Sequence, residues 1–233
     1  YLQQIVPAIS GYHQDRHFPS LALPHIRGGD SDQNEHRVIH EEVIYNNWRK
    51  LINRRVQLPS GGTADFEIVS QGDRGGTVSD EAVLVFVWNT QSKTAVLVRE
   101  YMPSMDRFQN GLAAGMVEDK HDDEDGEAVE TAARHELEEE CRLTGGIWYR
   151  LCSPTVMDKY STTRLSVYLV LDPDPIHEDD AKPRDETEQG MEVIDGISAS
   201  QLESSISSGE MTVVGAWAAY LALGKLRELG EID

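Results

Sequence analysis

Apolar residues run almost without interruption through two neighbouring segments near the middle of the chain. Residues 82–88 and 94–101 hold these runs, and the polar sequence NTQSK separates them. Strands with few polar positions are typical of a sheet that is covered on both faces. We therefore predict a central β-hairpin here, with its two strands inside the fold.

Other segments also have the composition of strands. Residues 37–58 mix β-branched and aromatic residues, and residues 58–72 read as a hairpin turning at Ser60-Gly61-Gly62. Later strands are expected within residues 147–158, 162–172 and 191–198. The polar, proline-containing residues 173–190 between the last two predict a long loop, and loops of this length in a compact domain are often functional.

Helices are predicted at residues 127–143 and 212–229. The first has helix-forming composition, with Ala128, Ala132 and Leu137 facing a core and Gly145-Gly146 as its stop. The second has apolar residues at helical spacings, among them Val213, Trp217, Tyr220, Leu221 and Leu229. The order of strands and helices predicts an α/β or α+β sandwich with a mixed sheet between helices.

The net charge of the chain excludes some classes of function. The 233 residues include 41 acidic and 21 basic side chains, a formal net charge of −20. This balance argues against long nucleic acid and against an anionic membrane surface, and the apolar runs are too short to span a bilayer. Two cysteines suit reduced thiols. We expect an intracellular protein, in the cytoplasm or in an organelle after removal of a presequence.

The most concentrated charge lies inside the first predicted helix. Four of the five residues 136–140 are glutamates. At about 100° per residue, Glu136, Glu139 and Glu140 share one face of about 100° and Glu138 points away. Crowded carboxylates repel unless a hard cation such as Mg²⁺ sits among them. A solvated acidic helix face is the other interpretation, and the spacing alone leaves both open.

The surrounding residues decide in favour of the cation. Together they resemble the Nudix box, G-x5-E-x7-R-E-U-x-E-E-x-G-U, in which U is a bulky aliphatic residue. Three positions depart from it: the first spacer has eleven residues instead of five, His135 replaces the arginine, and Arg142 replaces the second glycine. The matching positions are Gly115, Glu127, Glu136, Leu137, Glu139, Glu140 and Leu143.

The resemblance continues outside the box, over roughly residues 38–230. The sequences VREYMP and GLAAGM resemble segments of ADP-ribose and ADP-sugar pyrophosphatases, in which Gly111 would be a glutamate and Met102 an arginine. The resemblance implies a Nudix-type α/β/α sandwich over residues 77–233. It also implies a small N-terminal β-rich module over residues 37–76, preceded by an extension over residues 1–36.

The resemblance also implies roles for individual residues. Mg²⁺, or alternatively Mn²⁺, would be held by Glu136, Glu139, Glu140 and the main-chain carbonyl of Ala114. Glu127 would orient the site or cap the helix. Arg99 would contact a phosphate, and Trp48 would stack on adenine. Glu188 is the preferred catalytic base, Glu186 is the other candidate, and Glu140 is counted with both the catalytic and the metal-binding residues.

The implied activity is Mg²⁺-dependent hydrolysis of ADP-ribose or an ADP-sugar to AMP and a sugar phosphate, by a homodimer with a small-molecule substrate. Two alternatives stay open. One is a Nudix hydrolase of another nucleoside diphosphate derivative. The other is a catalytically silent Nudix fold that binds a nucleotide or a protein partner, which the departures at His135, Gly111 and Met102 favour.

Overall fold

The computed structural model describes residues 35–72, 80–121, 127–177, 184, 186–188 and 190–233. The first sheet is antiparallel and three-stranded, in the order β1 (Arg37–Asn46), β2 (Arg49–Gln57) and β3 (Thr63–Gln71). The β2–β3 turn falls at the predicted position, and Gly61 there has a φ of 82°, which glycine adopts without strain.

The second sheet is mixed and carries the rest of the fold. Its main path runs β10-β11-β4-β5-β13, with β11 parallel to β4; β6, β7 and β9 pair with β5, β4 and β11, respectively. Its strands are β4 (Glu81–Asn89), β5 (Thr94–Met102), β6 (Arg107–Gly111), β7 (Ala113–Met116), β9 (Ile147–Arg150), β10 (Thr155–Val156), β11 (Arg164–Leu171) and β13 (Glu192–Ser198). β8 (Leu143–Thr144) and β12 (Asp174–Pro175) form a separate pair.

The central hairpin splits open along its length. β4 and β5 pair only near their turn, through Val87–Val96, Trp88–Ala95 and Asn89–Thr94. Beyond that, β4 pairs with β7 while β5 pairs with β6. This split brings the backbone of β7 to the middle of the sheet, beside the first helix.

Three helices cover the second sheet: α1 (Ala128–Cys141), α2 (Ala199–Ser207) and α3 (Val213–Glu228). Alternate residues of β4 divide between two cores. Val83, Val85 and Val87 pack with α1, whereas Leu84, Phe86 and Trp88 pack with α2 and α3. The predicted α/β/α sandwich around a mixed sheet is therefore confirmed.

The end of α1 differs from the prediction. The helix stops at Arg142, which is left-handed with φ 59° and ψ 37° and donates its N–H to the Leu137 carbonyl. The Gly145-Gly146 pair lies beyond this stop. The sequence analysis also missed α2, although Ser198 and Gln201 form a capping box at its start.

The three-stranded sheet is attached to the second sheet through β3. The Val69 N–H donates to the Tyr160 carbonyl at 2.8 Å, and Asp80 accepts from Ser70 Oγ and the Gln71 N–H, both at 2.9 Å. The predicted boundary at residues 76 and 77, and nearly all of the predicted extension, lie outside the described residues. Of the helices that the structure describes, none is long and apolar enough to cross a bilayer.

Candidate active site

Helix α1 carries a buried glutamate, Glu140, and a half-buried one, Glu136, towards β7. Leu137, Ala132 and Ala133 anchor one face of the helix in the core against β4. Glu140, only 4% exposed, accepts a hydrogen bond from the Ala114 N–H at 2.9 Å. The helix and the β7 backbone are therefore joined directly at the predicted metal site.

Gly115 explains why the helix can approach so closely. A Cβ atom built on this glycine would lie 1.9 Å from Oε1 of Glu136. Any side chain at this position would have to displace the carboxylate or the strand. The first glycine of the motif thus leaves the space in which the carboxylate of the first glutamate of the helix cluster lies.

The pKa values of both carboxylates are raised. Burial, followed by the charges of Glu139 and Glu188, raises the pKa of Glu136 to about 8. Burial and the charge of Glu136 raise the pKa of Glu140 well above its usual value. Such a pair is unfavourable in its ionised form without a cation, and a divalent ion would reverse that preference.

Glu188 is brought to the same place from the late loop. It ends a 3-10 turn, Glu186–Glu188, and its charge contributes to the raised pKa values of both Glu136 and Glu140. The structure therefore groups the preferred catalytic base with the helix glutamates. The side chain of Glu186, the other candidate base, lies outside the described residues.

Arg184 positions this loop, and the sequence analysis missed it. Its guanidinium donates to the carbonyls of Glu140 at 2.8 Å, Met191 at 3.1 Å and Glu139 at 3.3 Å. Carbonyls in the last turn of a helix have no partner within the helix, so an arginine there satisfies them and complements the helix dipole. Arg184 thereby ties the Glu188 loop to the end of α1.

Arg99 does not join the glutamates. Along β5, Leu97 packs in the core of α2 and α3 and Val98 in the core of α1, so strand alternation directs Arg99 away from α1. Arg99 pairs with Glu192 at 3.7 Å and lines a cavity of about 450 Å³ with Arg107. The next residue, Glu100, faces α1 instead, and burial raises its pKa.

Trp48 lies at the turn between β1 and β2 and is 60% exposed. Its neighbour Arg49 lines a mainly apolar cavity of about 340 Å³ between the two sheets, which Ala114 and Gly115 also line. Trp48 itself does not line this cavity, although the residue that follows it does.

Two motif positions make contacts that the sequence did not predict. His135, at the arginine position, packs edge-to-face on His121 with ring centroids 5.1 Å apart, and His121 is 1% exposed. Glu127 occupies the N-cap position without a side-chain capping bond and accepts from Arg150 Nη1 at 3.0 Å. An ion pair therefore holds the start of α1, and ring packing holds its middle.

The donor set suits a hydrated Mg²⁺ ion. Across the described ranges, no three His, Cys, Asp or Glu side chains converge closely enough to hold an ion by themselves. Mg²⁺ does not need three, because it keeps several waters and binds through one or two carboxylates. Glu136 and Glu140 offer hard oxygen ligands, and Gly115 leaves room for the Glu136 carboxylate against β7.

Residues 78–200, more than half of the chain, match the sequence profile described as the NUDIX domain. The chain belongs to the Nudix family. A curated mouse protein named ADP-sugar pyrophosphatase is 30% identical over 173 residues, which cover 71% of this chain and 75% of the mouse protein. The predicted family and the hydrolase class are confirmed, and the chain is a Nudix hydrolase.

A solved structure supports the fold in particular. The crystal structure described as "ADP compounds hydrolase" matches with a TM-score of 0.63, over 87% of this chain and 100% of that one. Its sequence identity is 14%. The three-layer arrangement is therefore kept although most residues differ.

Proposed function

We propose that this Nudix hydrolase cleaves the pyrophosphate bond of ADP-ribose or an ADP-sugar in a Mg²⁺-dependent reaction that releases AMP and a sugar phosphate. The observation that carries the proposal is the Glu136 carboxylate lying against Gly115, beside the buried Glu140 that accepts from the Ala114 N–H at 2.9 Å. The charge of Glu188 acts on both carboxylates. The likeness to the mouse ADP-sugar pyrophosphatase supports the choice of substrate.

The proposed ligands are Glu136, Glu139, Glu140 and the main-chain carbonyl of Ala114. Bound Mg²⁺, or Mn²⁺ in its place, would neutralise the pyrophosphate and lower the pKa of a water molecule. Glu140 is held for this role by the Ala114 N–H, and Glu136 by its close fit to Gly115. These contacts fix the carboxylates before the substrate binds.

Glu188 is the proposed general base. It takes a proton from the attacking water as the water oxygen bonds to phosphorus and the anhydride P–O bond breaks. The Arg184 hydrogen bonds to the end of α1 hold its loop close to the helix. Glu186 is the competing base, and a larger loss of kcat in Glu186→Gln than in Glu188→Gln would reverse the assignment.

The substrate's nucleoside is proposed to bind on the other side of β7. The cavity of about 340 Å³ between the sheets is mainly apolar and adjoins Ala114 and Gly115. Trp48, exposed at the β1–β2 turn one residue before Arg49, is the proposed aromatic surface for adenine. A phosphate role for Arg99 is not part of the proposal, because that side chain faces away from α1.

A homodimer is proposed as well. All ten residues of β1 are exposed, and several are large and apolar, namely Val38, Ile39, Val43, Ile44 and Tyr45. An apolar edge strand of this length invites pairing. A second copy of the chain would cover it.

A substrate panel tests the proposed activity. The protein is incubated with ADP-ribose, ADP-glucose, a dinucleoside polyphosphate and a capped RNA end, each with Mg²⁺ or with EDTA. We expect AMP from the two ADP compounds only in Mg²⁺. Faster turnover of another substrate would move the activity within the family, and nucleotide binding without any turnover would support a silent fold.

A further inference from the structure

Glu100 is an acidic residue of β5 that lies outside the Nudix box. β5 sends alternate side chains to opposite faces, and Val96 and Val98 pack in the core of α1. Glu100 follows in the same phase and therefore faces α1, half-buried. An acidic side chain on this face lies on the side of the sheet that carries the helix glutamates.

Gly111, on the neighbouring strand β6, lies next to Glu100. Gly111 pairs with Val98 in the antiparallel ladder, so its Cβ direction is also towards α1. A Cβ atom built on Gly111 would lie 3.7 Å from Oε1 of Glu100 and 3.9 Å from Val98. The Glu100 carboxylate thus reaches the space into which a side chain at position 111 would extend.

This position is where the resemblance to ADP-sugar pyrophosphatases would put a glutamate. This chain has lost that carboxylate at 111 but holds another beside the same point, from the neighbouring strand. Position 111 also lies close along the chain to a residue that contacts Glu140, because Ala114, three residues further on, donates its N–H to the Glu140 carboxylate at 2.9 Å. The Glu100 carboxylate therefore lies at the end of the strand that leads to the buried helix glutamate.

We propose that Glu100 supplies to the metal-binding centre the carboxylate that Gly111 lacks. The inference rests on the proposed function, because it assigns Glu100 to the same cation. A half-buried carboxylate is unfavourable in its ionised form unless a cation compensates its charge. The departure from the family pattern at Gly111 is then a relocation of one acidic group from β6 to β5.

The local geometry allows a direct test by moving the carboxylate back. Glu100→Gln removes the charge and keeps the shape. Gly111→Glu is permitted by the backbone, since its Cβ would meet only ordinary contacts and its φ lies outside the left-handed region. The matched control is Glu138→Gln, which removes a carboxylate from the opposite face of α1, where Glu138 accepts from Thr144 at 3.0 Å.

The affinity for Mn²⁺ is measured by titration calorimetry. The electron paramagnetic resonance spectrum of the bound ion gives a second measure of binding. We expect Glu100→Gln to weaken Mn²⁺ binding at least about tenfold. The double variant Glu100→Gln/Gly111→Glu should recover affinity to within about threefold of wild type. Glu138→Gln should bind as wild type does, and thermal unfolding in EDTA shows whether each variant is folded.

The possible results distinguish a failure of the role of Glu100 from a failure of the proposed Mg²⁺-dependent hydrolase activity. Wild-type affinity in a folded Glu100→Gln variant would overturn the role of Glu100 and leave the proposed hydrolase untouched. A folded double variant no better than Glu100→Gln would also overturn the relocation. A wild-type protein that binds no Mn²⁺ would contradict the Mg²⁺-dependent function itself, and the inference with it.

Discussion

At the scale of single residues, the site is built on the contact between Gly115 and Glu136. The absence of a side chain at Gly115 lets a carboxyl group from a helix lie against the backbone of strand β7. The same contact explains why the glutamate is desolvated and why its pKa rises to about 8. A single methyl group at this point should therefore disturb the chemistry more than the fold.

Gly115→Ala tests that contact. The new Cβ would sit 1.9 Å from the Glu136 carboxylate and force it to move. We expect kcat to fall about 100-fold, as is typical when a catalytic group shifts by about 1 Å. Gly224→Ala is the control, because that glycine in α3 has nothing within 4 Å of its built Cβ. Equal kcat in both variants would show that the contact has no catalytic consequence.

The raised pKa of Glu136 predicts a pH-dependent stability in EDTA. Below about pH 4.5 the Glu136 carboxyl group is protonated in both the folded and the unfolded chain, so it does not lower the free energy of unfolding. Between about pH 4.5 and about pH 8 the unfolded chain loses the proton more readily, so the folded state is increasingly penalised. Stability should therefore fall as the pH rises through this window, and Mg²⁺ should restore it.

Glu136→Gln should remove most of this penalty. At about pH 8 in EDTA we expect the variant to be more stable than wild type by roughly 1–3 kcal/mol, with little difference near pH 4.5. Thermal unfolding across the range provides the measurement, with Glu138→Gln as the control on the same helix. A wild-type protein whose stability difference from Glu136→Gln does not change with pH would show that the carboxylate is not desolvated.

At the scale of the elements, α1 carries the motif because a helical spacing is a local property. The shared face of Glu136, Glu139 and Glu140 follows from the sequence, since residues three and four apart meet on a helix. The faces of β5 cannot be assigned from the sequence, because apolar residues fill both sides of the strand and no alternation of polar and apolar residues is visible. The resemblance indicates Arg99, and nothing in the pattern of β5 marks Glu100 as facing α1.

Other misses have the same origin. β6 and β7 are only five and four residues long and exist because the central hairpin splits, which is a tertiary event. Arg184 acts on α1 across more than forty residues of chain, and nothing local marks it. The sequence therefore predicts the layers and the helix glutamates, and the resemblance adds Glu188 and the Ala114 carbonyl, but neither indicates Arg184 or Glu100.

The C-terminal end of α1 supports a separate prediction. Arg142 has a left-handed conformation, φ 59°, where the Nudix pattern has glycine. Arg142→Gly should therefore stabilise the fold by about 1 kcal/mol in denaturant unfolding. Arg134→Gly, in the interior of the same helix, should instead destabilise it by about 1 kcal/mol or more. A change in the free energy of unfolding with the same sign in both variants would contradict a strained helix end.

At the scale of the whole molecule, the three-stranded sheet stands beside the hydrolase layers with its outer strand uncovered. It contacts the second sheet through β3, while β1 is exposed along its length. Placing this sheet against a second copy would bury apolar residues and bring another chain near the cavity that Arg49 lines. The oligomeric state is thus connected with the proposed nucleoside site.

The dimer prediction is tested by light scattering on the purified protein. We expect about twice the mass of one 26.0 kDa chain. Val43→Asp/Tyr45→Asp should yield a folded monomer, because it places charge in the apolar part of β1. Glu42→Asp, on the same strand, should leave the dimer intact. A monomeric wild-type protein would contradict the prediction.

The most direct test of the central claim compares two sets of glutamates on one helix. The rate of AMP release from ADP-ribose in Mg²⁺ is measured for wild type, for Glu139→Gln/Glu140→Gln and for Glu138→Gln. We predict a loss of at least about 1,000-fold in the double variant and a loss of less than about threefold in Glu138→Gln. Equal rates in all three folded proteins would contradict a catalytic metal site on this face of α1.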